Sequence, residues 1–292
     1  MKYNDYNWGI KKHDRTLNSK STYLFTKMAF YIAPNMTSRL MREKGFSIKP
    51  YRLSEDQHDL MSQAQSFFLE FNDNKIKVFE WGYGPVILLI HGWGGRALQM
   101  NNFIEAFVNK GYKVVAFDHK GHGDSSSNFS SYPEIVRSTT LVTEHYAADL
   151  YGVIAHSIGS NAMFKVSEHF DHELKLASIA PVENFIAVLE KMRMKLGIYE
   201  KLFARLVSLI EADSQLYLAD LNVLDYEKIK RHDVLLVHDK FDRINNIRSS
   251  YEIQNKLNNV DLLTTERLGH SRILGNQEVL EQVVTHFTSP HS

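Results

Sequence analysis

The chain has 292 residues, enough for one large α/β domain or two small ones, and its 43% hydrophobic and 23% charged residues match an ordinary globular protein. Lys plus Arg and Asp plus Glu both number 34, so no overall field of one sign favours nucleic acid or an acidic surface as partner. There is no cysteine, which excludes disulfides, thiolate catalysis and cysteine-based metal sites.

Residues 1–20 are polar, mixed in charge and without an apolar core, so they read as a loosely ordered tail and not a secretory signal. No stretch approaches the roughly 18 consecutive apolar residues of a spanning helix. The expected location is cytoplasmic. Residues 22–45 read as helical, with Tyr23, Leu24, Phe25, Met28, Phe30, Tyr31 and Ile32 crowded before Pro34, and Met36, Leu40 and Met41 after it. Such a segment usually packs on its own domain or on a second subunit, as in a homodimer. An interfacial membrane helix is the rarer use of the same pattern.

From Ser66 the pattern changes. Phe67–Phe71 and Lys75–Trp81 flank Asn72-Asp73-Asn74 as a hairpin, and Gly82-Tyr83-Gly84-Pro85 makes a second turn. Val86–Ile90 is apolar at all five positions, as a strand buried on both faces should be. Tyr112–Phe117, Tyr151–Ala155, Leu174–Ala180, Val234–Val237 and a weaker Val260–Thr264 repeat the theme. Helix-length amphipathic stretches lie between them, among them Ala97–Asn109, Pro133–His145 and Ile247–Leu257. Strands alternating with helices predict β-α-β units: an α/β fold with a mostly parallel, doubly wound sheet.

Between Pro181 and His232 the rhythm breaks. Val182, Phe185, Ile186, Leu189, Met192 and Leu196 form one helical stripe, and Leu202, Phe203, Leu206, Val207 and Ile210 another. The expected organisation is an N-terminal tail and helical extension over 1–65, a core over 66–181 and 230–292, and a helical lid over 182–229. Phe185, Leu189 and Met192 are the expected substrate-facing line of that lid. Part of each stripe must also serve as packing.

Ser157 stands where an apolar run ends and a helix pattern begins, in Ala155-His156-Ser157-Ile158-Gly159. A serine on such a sharp strand-to-helix turn has its hydroxyl lifted from the sheet and needs small residues two places either side. A free hydroxyl is a weak nucleophile, so it needs a base. His270, in a loop after the last strand pattern, is the candidate. Asp242, four residues past a buried strand, is the candidate acid that holds the imidazole tautomer. Asp239 is its rival, more suited to capping the turn. His156 beside the serine should point away and serve structure. His119 and His122 read as a turn, with no third ligand nearby for a metal. After Val86–Ile90 comes His91-Gly92-Trp93-Gly94-Gly95, a turn that can aim the Trp93 amide at an oxyanion, with Ile158 N–H as the second donor.

Together these features resemble the α/β-hydrolase superfamily across roughly residues 66 to 289. The landmarks are the His-Gly turn at 91 and 92, an Asp-x-x-Gly-x-Gly-x-Ser loop at 118 to 125, the elbow at 157, and the acid and histidine at 242 and 270. The opening helix, the Trp81-Gly82-x-Gly84-Pro85 turn and the Gly269-His270-Ser271-Arg272-Ile273-Leu274 ending look like a bacterial subgroup known only as α/β hydrolase. Ala155 stands where the family usually has its first glycine, and Phe241 where many members carry a second acidic residue. The resemblance implies a serine hydrolase that cleaves carboxylic esters through an acyl-enzyme, with a small-molecule acyl ester as substrate and neither metal nor organic cofactor. Aspartate-nucleophile dehalogenation is disfavoured. Acyltransferase, thioesterase, amidase and carbon–carbon hydrolase activities use the same triad, and fold alone does not separate them. A non-catalytic binding module is the expectation furthest from this one.

Overall fold

The computed structural model describes residues 17–49, 51–71, 73–182, 184–222, 224–258 and 260–289; most of the expected N-terminal tail, and Asn72 of the expected turn, lie outside the described residues. Helices α1 (Leu17–Ile32) and α2 (Pro34–Gly45) are separate, because Pro34 opens α2 at its first turn and cannot continue α1. Helix α3 (Glu55–Ser62) starts at a capping box in which Ser54 and Gln57 exchange side-chain and backbone bonds. Strands β1 (Gln65–Phe71) and β2 (Asn74–Trp81) form the expected hairpin, with Phe71 opposite Asn74. Strand β3 (Val86–Ile90) is buried at every position.

The stretch expected as one helix from Ala97 to Asn109 is instead a 3₁₀ turn at Ala97–Met100 followed by α4 (Asn102–Val108). The Ala97 amide is drawn to Asp118 Oδ1 at 2.7 Å, and the Gln57 amide group donates to the Leu98 carbonyl at 2.8 Å. The chain then runs through β4 (Lys113–Phe117), α5 (Tyr132–His145), β5 (Leu150–His156), α6 (Ile158–Ser167) and β6 (Lys175–Ile179). Next come α7 (Phe185–Leu196), α8 (Glu200–Ser214), α9 (Leu218–Asn222) and α10 (Tyr226–Ile229). Strand β7 (Asp233–Asp239), α11 (Arg248–Leu257), β8 (Asp261–Thr265), α12 (Gly269–Arg272) and α13 (Gln277–Thr288) complete it.

Two compact units divide these elements. The larger comprises 48–130, 135–182 and 224–289 among the described residues and carries an eight-stranded sheet in the order β1-β2-β4-β3-β5-β6-β7-β8. Pairs β1/β2 and β2/β4 are antiparallel, and the others are parallel. Successive residues of β3 point to opposite faces, so Val86, Leu88 and Ile90 join one core and Ile87 and Leu89 the other. Val142, Met163, Phe164 and Ile253, from α5, α6 and α11, pack on the first face. Phe103 and Phe107 of α4, with Val279, Val283 and Phe287 of α13, pack on the second. Helices cover both faces. This is the expected doubly wound α/β-hydrolase fold, and its parallel strands all end at one edge, where the connecting loops gather.

The smaller unit is helical and comprises 17–47, 131–134 and 184–222. Its centre is Tyr199, against which Tyr23, Phe30 and Tyr31 of α1 set their rings at 5.7 to 5.9 Å. Thr26 accepts from the Tyr199 amide at 3.1 Å, and the two tyrosine hydroxyls of Tyr31 and Tyr199 meet at 3.0 Å. Helix α7 ends where Gly197 takes a left-handed conformation, φ +70°, which glycine adopts without strain. Among the described residues, no helix is long and apolar enough to cross a membrane.

Candidate active site

Strand β5 delivers the chain to Ser157, whose backbone sits at φ +55°, ψ −125°, before α6 starts at Ile158. A non-glycine residue in that region carries roughly 1–3 kcal/mol of strain, and such strain persists only where surrounding contacts hold it. Here the Ser157 amide donates to the Ile179 carbonyl at 2.9 Å. The glycine two places on is required by space: a Cβ at Gly159 would lie 2.7 Å from the His91 carbonyl oxygen and 2.8 Å from that of Ile90. Ala155 on the other side is fully buried in the strand, where a methyl fits.

His270 stands on α12, and its Nε2 lies 3.1 Å from Ser157 Oγ. Its Nδ1 donates to Asp242 Oδ2 at 2.7 Å. Asp242 Oδ1 accepts the amides of Ile244 at 2.7 Å and Asn245 at 3.0 Å, which fixes the carboxylate's rotation. Burial alone would raise the Asp242 pKa, but hydrogen bonds from His238 and His270 outweigh it and hold the carboxyl well below the usual range. Serine, histidine and aspartate thus form one continuous hydrogen-bonded chain.

Asp239 lies apart from that chain. Its Oδ2 accepts from Thr265 Oγ1 at 2.8 Å and the Leu268 amide at 2.9 Å, and its Oδ1 from the Phe241 amide at 2.9 Å. It ties the ends of β7 and β8 together as a loop cap.

The proposed oxyanion donors sit on two different turns. Ile158 opens α6, so its amide lies at a helix N-terminus, where partial positive charge gathers. Trp93 lies in the turn after β3, with its ring edge-on to His122 at 5.7 Å. That turn is held by the Gly94 amide donating to His122 Nε2 at 3.1 Å, by Gly95 N–H to the Gly92 carbonyl at 3.1 Å, and by Gly92 N–H to Gln99 Oε1 at 3.2 Å. The Asp118 carboxylate clasps the following loop through the amides of Ala97 and Asp124, both 2.7 Å. A Cβ on Gly123 would fall on that carboxylate, so the loop motif demands glycine there.

Phe185, Leu189 and Met192 stand in one line on α7, in the helical unit. Phe185 and Leu189 are buried, and Phe185 lies at 4.5 Å from Tyr132. Met192 is 39% exposed. A surface cleft of about 580 Å³ opens beside the histidine, lined by Phe241, Ile244, His270 and Arg272 among others. A larger one of about 880 Å³, lined by Asp56, Leu60, Trp81 and Glu105, contains none of Ser157, Asp242 and His270.

Further polar groups surround this chain, and two of them, Asn245 and His238, carry no role in the sequence reading. Asn245 is buried, and its Nδ2 donates to the Ala180 carbonyl at 2.9 Å and lies 3.4 Å from Ser157 Oγ. Its only sequence signal is the polar Asn245-Asn246 pair just after the acid, which does not say which side chain turns inward. His156 Nε2 donates to the His270 carbonyl at 2.9 Å, so the neighbour expected to serve structure holds the histidine loop. His238 Nε2 lies 3.6 Å from Asp242 Oδ2 and bonds the Asn245 carbonyl at 3.1 Å. His91, His119 and His122 pack ring on ring, with centroids 4.4 to 5.9 Å apart.

Asn245→Ala is expected to lower turnover about fivefold, since one neutral hydrogen bond is worth about 1 kcal/mol, and to lower the melting temperature as well, because the buried Ala180 carbonyl loses its donor. Steady-state rates normalised to folded protein check this, and a wild-type rate would remove Asn245 from the chemistry.

Burial pushes His91 down to about 4, and His122 and His156 down to about 3, from 6.5 for the free side chain. The folded protein keeps these rings neutral while the unfolded chain takes up protons below about pH 6.5. Their contribution is therefore complete above about pH 6.5 and is lost as the pH falls toward 4 and then 3, by at most about 1.4 kcal/mol per histidine per pH unit. The melting temperature should fall clearly between about pH 7 and pH 5. A flat or rising profile over that span would contradict neutral buried rings.

Comparison with known proteins bears on the fold. A family model described as the alpha/beta hydrolase fold matches residues 85–221. A non-heme haloperoxidase of Rhodococcus erythropolis is 32% identical over 77 residues, 26% of this chain and 25% of that protein. A non-heme chloroperoxidase of Kitasatospora aureofaciens is 30% identical over 110 residues, 35% of this chain and 40% of that protein. The matches therefore span only a quarter to two fifths of those relatives' own length. A solved esterase structure from Pyrococcus furiosus superposes with TM-score 0.58 at 15% identity, covering 82% of this chain and 96% of that one.

Proposed function

We propose that this chain is a serine hydrolase that cleaves carboxylic esters through an acyl-enzyme, a reading supported by its α/β-hydrolase fold and by the match of residues 85–221 to the alpha/beta hydrolase fold model. The observation that carries this reading is the continuous chain from Ser157 Oγ through His270 to Asp242 Oδ2. In it the Nδ1 proton of His270 is committed to the carboxylate, which leaves Nε2 free to take the serine proton.

In the proposed reaction Oγ attacks the ester carbonyl as its proton passes to His270 Nε2. The oxygen that becomes negative is received by the amides of Trp93 and Ile158, donors that can supply several kcal/mol of transition-state stabilisation. Collapse expels the alkoxide, which leaves as the alcohol with the His270 proton. Water then attacks the acyl-enzyme with His270 as base, Oγ recovers the proton, and the carboxylic acid departs. A serine ester is an intermediate that water can cleave, which fits the elbow residue to acyl transfer.

The same proposal assigns acyl-chain selection to Phe185, Leu189 and Met192 of α7. Met192→Ala should shift which chain length is preferred on chromogenic esters, leave the melting temperature unchanged because the side chain is substantially exposed, and leave the smallest ester cleaved as before. Remote contacts add binding energy only for substrates long enough to reach them. Leu189→Ala should also cost about 2–5 kcal/mol of stability, as a buried leucine does. If Phe185→Ala, Leu189→Ala and Met192→Ala all leave chain preference unchanged, α7 is packing alone. The same panel of esters, run beside Ser157→Ala, tests the ester activity itself.

A further inference from the structure

The balanced charge of the whole chain conceals an uneven distribution. Residues 1–47 hold nine Lys and Arg against three Asp and Glu, while residues 48–292 hold 25 against 31. Between Arg15 and Arg42 there is no acidic residue at all. The first 47 residues are therefore a cationic segment on an otherwise anionic protein.

The two helices of that segment each bury one side within their own unit. In α1 the inner side carries Thr26, bonded to Tyr199, with Tyr23 and Phe30 against the Tyr199 ring. Leu24, Met28 and Ile32 recur every fourth residue on the opposite side, with Phe25 beside them. All four are exposed, Phe25 at 71% and Ile32 at 80%. In α2 the inner side carries Ser38 and Arg42, which pairs with Asp213 of α8, while Met36 and Leu40 are exposed four residues apart. Six large apolar side chains in two short helices are thus left in water, interspersed with the exposed cations Lys20 and Arg39. Single exposed apolar residues are ordinary, but rows of them on neighbouring helices mark an interaction surface.

We infer that the outer rows of α1 and α2 dock the protein on an anionic phospholipid surface. Apolar side chains of this kind enter the boundary between headgroups and acyl chains, and flanking Lys and Arg are drawn to negatively charged headgroups. A second copy is the poorer occupant, since a symmetric pair would set two cationic faces against each other. No helix among the described residues can cross a bilayer, so the attachment is peripheral. It does not depend on the proposed ester chemistry.

The test is sedimentation of the full chain with vesicles of phosphatidylcholine alone and of phosphatidylcholine mixed with phosphatidylglycerol. Wild type should sediment with the mixed vesicles and much less with the neutral ones, and the difference should shrink in high salt. Phe25→Ser with Ile32→Ser should weaken that binding about tenfold or more. Lys20→Gln with Arg39→Gln, which keeps all six apolar side chains, should weaken it by a similar factor on the anionic vesicles only. Turnover of a short soluble ester should be unchanged in both variants, which separates this outcome from any failure of the esterase reading. Absence of wild-type sedimentation, or undiminished binding in both variants, overturns the inference. So does a wild-type dimer by light scattering that the Phe25→Ser, Ile32→Ser variant converts to monomer.

Discussion

Ser157→Ala, and separately His270→Ala, are expected to lower ester turnover by several orders of magnitude while the fold stays intact. In the first variant the attacking oxygen is gone. In the second, Oγ keeps its proton, because its other hydrogen-bond partner among the described residues is the Asn245 amide N–H, which donates and cannot accept. Groups that act as a unit lose most of their joint effect when either is removed. Neither change leaves a large void: Ser157 loses one oxygen, and the His270 side chain lies partly open to solvent. Steady-state rates on a chromogenic ester, with circular dichroism as the control for folding, measure the effect. More than about a tenth of the wild-type rate in either folded variant would remove that residue from the mechanism, since general-base loss alone should cost on the order of a hundredfold.

Asp242→Asn is expected to lower turnover by about three to four orders of magnitude, and Asp239→Asn far less. The reason lies in what surrounds each carboxylate. Two backbone amides donate to Asp242 Oδ1. An asparagine there must keep its carbonyl oxygen toward them and so turn its NH₂ toward His270. The imidazole would then accept at Nδ1 and carry its proton on Nε2, where it can no longer receive one from Ser157. At Asp239 every partner is a donor held by the loop, so an amide introduces one mismatched N–H and should lower the melting temperature more than the rate. Rates normalised to folded protein decide between the two. Equal damage, or the reverse order, would move the acid to Asp239.

The parts of the fold legible in the sequence are those whose physics is local. Val86–Ile90 is read to the residue because a strand buried on both faces is apolar throughout. The elbow is legible because a close approach leaves room only for glycine at 159. Asp242 and His270 could be placed because each follows a strand whose end the sequence marks. What stayed hidden depends on distant partners. The break after Met100 follows from Asp118 and Gln57, far along the chain. The packing of α1 on Tyr199 joins segments about 170 residues apart. Asn245 is one of two adjacent asparagines in a loop, and only the placement of the Ala180 carbonyl turns it toward the serine. His122 was legible as part of a turn, but its acceptance of the Gly94 amide was not.

The proposed mechanism rests on Ser157 as a nucleophile activated by His270. The most direct measurement is the mass of the intact protein after exposure to a fluorophosphonate, followed by mapping of the modified peptide. One covalent adduct is expected on the peptide carrying Ser157, absent from Ser157→Ala and formed far more slowly in His270→Ala. An unmodified wild-type protein, or an adduct that persists in Ser157→Ala, would contradict it.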